Sequence, residues 1–328
     1  MQICVTGSIA TDHLMTFAGK FTDSIVEGQL ENLSVSFLVD DLQIRRGGVA
    51  ANITFGLGCL GLKSILVGAV GDDFADYRAW LERHGVDTES VVVSDIHHTA
   101  RFVCTTDSAA NQIASFYPGA MSEAGTIELD PVAQRAGRLD LVVIAPNDPA
   151  AMSRHTNECR DRGIPFASDP SQQLAFMNGE QIRDLIDGAA YLFTNEYEAA
   201  LTEQKTGWSA EEILSRVGVR VTTLGAKGAR VEVVGQVPVH VDVAKAEQIA
   251  DPTGVGDAFR AGFLAGLACE LGHERSAQLG SMLATCTIET TGTQEYVIDP
   301  EHFMSRFADA YGSEAAEEIR AVVPFVAA

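Results

Sequence analysis

The stretch Asp251-Pro252-Thr253-Gly254-Val255-Gly256-Asp257-Ala258-Phe259 places a Gly-x-Gly turn directly before a carboxylate that opens a long apolar helix. Glycines let backbone N–H groups approach an anion closely. The helix start adds unpaired N–H groups and the positive end of the dipole. A phosphate can therefore sit beside Asp257, held by Gly254, Gly256 and their neighbours through backbone alone. Like charges repel, so a carboxylate there needs a chemical reason. Phosphoryl transfer to a hydroxyl supplies one: the carboxylate takes the hydroxyl proton, and the turn stabilises charge on the phosphoryl oxygens. The bland alternative is an ordinary turn with Asp257 as a helix cap.

Further candidates lie elsewhere along the chain. Arg45-Arg46-Gly47-Gly48-Val49-Ala50-Ala51-Asn52 sets paired glycines before a small-residue helix, with the Asn52 amide one turn inside. The arrangement suits close backbone approach to a ligand; tight helix packing is the competing reading. Asp12 follows a strand and a turn carrying Ser8, at the kind of strand end where α/β folds bind ligands. Its carboxylate could accept from two adjacent hydroxyls, or serve an Asx-turn. Asn195-Glu196-Tyr197-Glu198 puts an amide and a carboxylate three residues apart, suited to positioning water around magnesium, or to a solvated helix start. Thr222-Thr223-Leu224-Gly225-Ala226-Lys227-Gly228 is a strand followed by a Gly-flanked turn, able to hold nucleotide phosphates through N–H groups and Lys227. No Gly-x-x-x-x-Gly-Lys-Ser/Thr occurs, and no Gly-x-Gly-x-x-Gly follows the first strand, which argues against a P-loop protein and a dinucleotide dehydrogenase.

The elements that must position these residues read as follows. Ile3–Val5 is a buried strand. From residue 130 strands and helices alternate: an apolar run over Leu139–Ala145, a helix over Pro149–Arg162, and a short strand over Pro165–Ser168. Helical period then covers Ile182–Ile186, a strand spans Tyr191–Thr194, a helix capped by Ser209 reaches Val217, and a strand covers Val219–Leu224. This alternation predicts a mainly parallel sheet with helices on both faces. Ser34–Arg46 and Thr99–Tyr117 lack intervening helices and predict a small projecting sheet. A hairpin symmetric about Ala109 sets Phe102 opposite Phe116. No linker or repeat marks a second domain, so one unit over 1–328 is expected, with a lid over about 13–46 and 98–118.

Composition narrows the partners. The 328 residues carry 23 Lys and Arg against 45 Asp and Glu, a net charge of −22, which disfavours nucleic acid and anionic membranes. The apolar run Ala261–Cys269 ends at Glu270, too short for a membrane span. The N-terminus lacks a basic segment before its apolar residues, and the six cysteines show no paired spacing. A reduced, cytoplasmic protein is expected.

Taken together, these motifs resemble the PfkB/ribokinase family of carbohydrate and nucleoside kinases. Gly47-Gly48-Val49-Ala50-Ala51-Asn52 with Gly71-Asp72-Asp73 is similar to its first signature, and Asp251 to Asp257 to its second. Asn195-x-x-Glu198 is similar to its magnesium-phosphate motif. Val255 departs from the usual alanine, at a position where the backbone does the work. The resemblance implies a three-layer α/β sandwich with a β lid, ATP as donor, and Asp257 as base. It places Asn195, Thr223, Gly225, Lys227, Gly228, Gly254 and Gly256 around ATP, with Glu198 holding Mg2+ through water.

Gln112 to Met121 and Asp169-Pro170-Ser171-Gln172-Gln173 resemble the ribokinase-like adenosine kinases of actinobacteria, as do Gly7 to Leu14 and Ser36 to Asp41. That subgroup implies adenosine as acceptor. Ser8, Asp12, Gly48 and Asn52 would hold the ribose, Phe102 and Phe116 the base, with Ser36, Gln172 and Gln173 also binding substrate. Two aromatics on a lid suit the wide face of a purine, and the lid edge suits a homodimer. The wider family also implies K+ near Asp251 and Thr253. A sugar kinase of the same fold and a noncatalytic nucleotide sensor are the rival readings.

Overall fold

In the computed structural model, which describes residues 1–25 and 35–325, the alternating apolar runs become buried strands. Leu141–Ile144, Phe166–Ser168, Tyr191–Asn195 and Val219–Thr223 lie side by side and parallel. Ile3–Thr6 sits mid-sheet, parallel to Leu141–Ile144 on one side and to Ser64–Val70 on the other. Val86–Asp87 and Val91–Val93 extend that edge in parallel. Ala229–Glu232 and Val239–Val241 close the opposite edge antiparallel, completing ten strands.

Period-two alternation divides the core into two layers. Ile3 and Val5 face a cluster with Ile53, Leu57, Phe259, Phe263, Leu279 and Phe307. That layer is built by the helices Val49–Cys59, Val255–Ala268, His273–Ile288 and Pro300–Tyr311. Cys4 faces the other way, into a cluster with Val132, Met152, Ile182 and Ile213 from the helices between residues 129 and 216. The fold is thus a ribokinase-like three-layer α/β sandwich with a second, smaller sheet. A Cβ at Gly262 would come within 2.6 Å of the Gly280 Cα, so this glycine lets the helices Val255–Ala268 and His273–Ile288 touch backbone to backbone.

The smaller sheet has four strands in the order Asp41–Gly47, Ala10–Thr16, Ala100–Thr106 and Gln112–Tyr117. Phe102 pairs with Phe116, as the hairpin symmetry predicts. Two local expectations are corrected. Asp12 does follow the strand Ile3–Thr6 and the turn carrying Ser8, but it lies within a further strand, Ala10–Thr16, rather than in an Asx-turn, because that segment pairs along its whole length with both neighbours. The strand expected over Ser34–Arg46 is confined to Asp41–Gly47. Residue 34 lies outside the described residues, and Phe37 packs on Phe17 and Phe21 at ring-centroid distances of 4.9 and 4.8 Å instead of pairing.

In register, Arg45, Asp12, Phe102 and Phe116 form one row across this sheet and share a face. Ile44, His13, Val103 and Ser115 form the next row, on the other face. Among the described residues, no helix is long and apolar enough to cross a membrane.

Candidate active site

The C-terminal ends of the parallel strands point toward the glycine turns, as in other open α/β sheets. Gly48 has φ 93°, and a Cβ there would lie 2.6 Å from the Ser8 carbonyl oxygen and from the Ala10 nitrogen. Both the left-handed backbone and the tight contact require glycine. The Val49 N–H donates to Ser8 Oγ at 3.0 Å, so Ser8 caps the helix that carries Asn52. Asp12 lies beside this turn: a Cβ on Gly47 would meet its Oδ2 at 3.0 Å. Burial, reinforced by Asp251, pushes the Asp12 carboxyl up to about 6.

Across the cleft, Gly254 adopts φ 77° and starts the helix Val255–Ala268 with Asp257 in its first turn. Asn52 Nδ2 donates to Asp257 Oδ2 at 2.8 Å, joining the two glycine motifs across 205 residues of sequence. Burial pushes the Asp257 carboxyl up to about 6; Arg260 and Asn52 oppose the rise, while Asp169 and Glu198 add to it. A carboxylate titrating there is poised to take a proton near neutral pH.

Arg260, one turn on from Asp257, is buried against the fully buried Asp169, with Nη2 2.7 Å from Oδ1. Glu198 Oε2 lies 3.9 Å from the same guanidinium. Sequence reasoning missed Arg260, although a lone charge on the apolar helix face Ala258-Phe259-Arg260-Ala261 was the available signal. The sequence offers no sign that Asp169 is its partner. Three carboxylates thus gather around one guanidinium, leaving an excess of negative charge in the cleft.

Asn195 and Glu198 make a reciprocal capping box: Asn195 Oδ1 accepts from the Glu198 N–H, and Glu198 Oε2 from the Asn195 N–H, each at 2.8 Å. The helix-start reading of this pair is therefore real, and it leaves Glu198 Oε1 free of the cap. Thr223 pairs with Asn195 at the adjacent strand end. The turn after Thr223 uses Gly225 and Gly228, with φ 58° and 89°, and exposes Lys227, whose Nζ lies 3.7 Å from Glu196. Asp251 accepts from the Thr253 N–H at 2.9 Å and the Gly292 N–H at 3.1 Å, tying the anion turn to the loop after the next helix.

Phe102 is half-buried and Phe116 exposed. Gln173 is half-buried, and the side chains of Ser36 and Gln172 are exposed. Among the described residues, none of these three polar residues hydrogen-bonds Asn52 or Asp257. Asn52 thus bonds Asp257, and Ser8, Asp12 and Gly48 gather at the turn before its helix. A separate cluster of Asp72, Asp73 and His98 is exposed, and Asp73 is engaged by Thr99 and Arg101.

The raised Asp257 pKa has a consequence for stability. Between its unfolded value of 3.8 and its folded value of about 6, the native state binds the proton more tightly. Native stability therefore falls as pH rises through that window, and the deficit is complete above it. Asp257→Asn removes the deficit while keeping an acceptor for Asn52. The variant is expected to exceed the parent by about 1–3 kcal/mol at pH 8, with no gain near pH 4. Urea unfolding at both pH values checks this, and equal stabilities at pH 8 contradict it.

The chain as a whole resembles known proteins. The pfkB family carbohydrate kinase pattern matches residues 7–299. A nucleoside kinase of Methanothermobacter thermautotrophicus is 31% identical over 271 residues, covering 82% of this chain and 86% of that protein. The ligand-free Burkholderia thailandensis nucleoside kinase superposes with a TM-score of 0.84 at 34% identity, covering 93% of this chain and 99% of that one. Its complex with inosine gives a TM-score of 0.81, covering 94% and 98%. With a family pattern running from the first strand's turn to the penultimate helix, this chain belongs to the pfkB family of carbohydrate kinases.

Proposed function

We propose that this phosphotransferase is a nucleoside kinase that moves the γ-phosphoryl group of ATP to the 5′-hydroxyl of a purine nucleoside, adenosine foremost. The Asn52–Asp257 bond carries the reading, because it sets a base titrating near 6 between the ribose-side glycine turn and the anion turn. Ser8, Asp12, Gly48 and Asn52 hold the ribose hydroxyls. Asp257 removes the hydroxyl proton as the oxygen attacks phosphorus. Backbone N–H groups of Gly254 to Asp257 receive the developing charge on the phosphoryl oxygens. Asn195, Thr223, Gly225, Lys227 and Gly228 flank the rest of the nucleotide.

The excess of carboxylate around Arg260 suits a divalent cation. Glu198 would hold Mg2+ through water, and the ion would neutralise charge on the phosphates. Oxygens of Asp251 and Thr253 would hold K+ beside the anion turn. An assay across adenosine, guanosine, inosine, ribose and fructose tests the reading, run in K+, Na+ and a bulky organic cation at matched ionic strength. Adenosine is expected to turn over fastest, K+ to exceed Na+, and Asp257→Asn to lose at least about 100-fold in turnover. Turnover of sugars alone selects a sugar kinase; no transfer to any acceptor selects a nucleotide sensor. Equal rates in all three cations remove the K+ site.

Phe102 and Phe116 share the sheet face that carries Asp12, which supports a role for their rings on the acceptor side. Truncating either to Ala is expected to weaken adenosine binding by roughly 1–3 kcal/mol with little change for ATP. Unchanged adenosine affinity in both variants assigns the rings to lid packing.

The opposite lid face supports a homodimer. Leu42, Ile44 and Ile113 lie on it at 52%, 61% and 51% exposure, beside the exposed strand Gln112–Tyr117. Ile44→Lys is expected to convert a dimer to a monomer in sedimentation equilibrium. A parent protein that sediments as a monomer at micromolar concentration overturns the assignment.

A further inference from the structure

Four buried polar side chains beyond Asp257 form one directed chain. Tyr77 Oη donates to the Gly47 carbonyl at 2.8 Å. Gln294 Nε2 lies 2.5 Å from Tyr77 Oη and 2.9 Å from Asn52 Oδ1. Asn52 Nδ2 reaches Asp257. Tyr77, Gln294, Asn52 and Thr293 are all at most 6% exposed.

Hydrogen counting fixes the direction of every bond. The Gly47 carbonyl can only accept, so the single Tyr77 hydrogen is committed to it. Tyr77 Oη must then accept from Gln294, which turns the Gln294 amide nitrogen inward. Its two hydrogens serve Tyr77 and Asn52, one each. Asn52 therefore presents Oδ1 to Gln294 and Nδ2 to Asp257. Thr293 Oγ1 lies 2.9 Å from both Asn52 Oδ1 and the Arg46 carbonyl, and its one hydrogen can serve only one of them. Reversing Gln294 would strip the Gly47 carbonyl of its donor and turn Asn52 Oδ1 onto Asp257 Oδ2. Two facing oxygens are tolerable only when Asp257 is protonated, and so idle as a base. Gln294 Oε1 has no partner among the described residues, a cost that packing alone does not explain.

We propose that Gln294 is a positioning residue for phosphoryl transfer: it locks the Asn52 amide so that its donor faces Asp257, and through Tyr77 it anchors that orientation to the backbone of the ribose-side glycine turn. The inference rests on the kinase reading for its consequence in turnover, but the relay itself is a property of the folded chain. The charged and titratable groups acting on Asp257 are Arg260 on its own helix, Asp169 and Glu198 across the cleft, and the buried Tyr296. Substituting Gln294 or Tyr77 changes none of them.

Two readouts separate this from a role in packing. The Asp257 carboxyl carbon, identified by its absence in Asp257→Asn, is titrated by NMR in the parent, Gln294→Met and Tyr77→Phe. Steady-state kinetics with the acceptor are measured on the same three. Gln294→Met is expected to raise the Asp257 pKa by about half a unit or more, because the carboxylate loses a fixed donor. It should lower kcat about 10-fold at pH 7 with KM changed less than about 3-fold. Tyr77→Phe should move both in the same direction by less, and it decides the matter alone if Gln294→Met does not fold. An unshifted carboxyl titration and unchanged kcat in the folded variants overturn the proposal. A parent without turnover on any nucleoside or sugar overturns the kinase reading, while the NMR titration still decides the relay.

Discussion

Three carboxylates converge on one guanidinium at the mouth of the parallel sheet, and this imbalance constrains the rest of the site. Asp169 and Arg260 form a buried pair that is costly to desolvate and strongly destabilising to break singly. Asp257 and Glu198 add negative charge within range of the same arginine. Such a cluster is tolerable because rigid elements hold it. Asp169 follows a central strand, Glu198 is fixed in a capping box, and Arg260 and Asp257 share one helix. What the protein gives up in electrostatic stability it retains as a carboxylate titrating near neutrality.

The glycines complete that constraint from the other side. Gly48 and Gly254 both adopt positive φ at helix starts. One helix then supplies Asn52 and the other Asp257, so the two helix starts meet at a single amide–carboxylate contact. The lid sheet is fed directly from the central strand Ile3–Thr6, with only Gly7, Ser8 and Ile9 between that strand and Ala10–Thr16. A shift in the lid is therefore felt at Ser8 and Asp12, the residues nearest the ribose side of the site.

Much of this was legible in the sequence, for physical reasons. Local glycine turns and apolar periods report on local backbone, so Gly48, Gly254, the helix Pro149–Arg162 and the Phe102–Phe116 pairing could be read directly. The strand Ala10–Thr16 could not, because its polar residues Thr11, Asp12 and His13 are consecutive and its partners lie 25 to 37 and 90 residues away. Tyr77, Gln294 and, as the partner of Arg260, Asp169 could not be read for a related reason. Each is an unremarkable polar residue until the fold supplies its partner, and buried polar networks are specified by tertiary contact rather than by spacing. Asn195 and Glu198 left two readings open, a magnesium-water pair and a helix start, and their spacing meets the rule for the helix cap that the fold forms.

The 205 residues between Asn52 and Asp257 also have a meaning in time. At typical synthesis rates of about 5–20 residues per second, the helix carrying Asp257 leaves the ribosome roughly 10 to 40 s after the helix carrying Asn52. Ile3–Thr6 likewise waits for Leu141–Ile144 before both its edges are paired. During that interval the nascent chain holds the Gly47–Gly48 turn and the smaller sheet without Asp257 or the Gly254 turn. A ribosome-bound intermediate can therefore expose lid edges to a neighbouring chain while having no means to turn over nucleotide. Chemistry begins only when the C-terminal third docks.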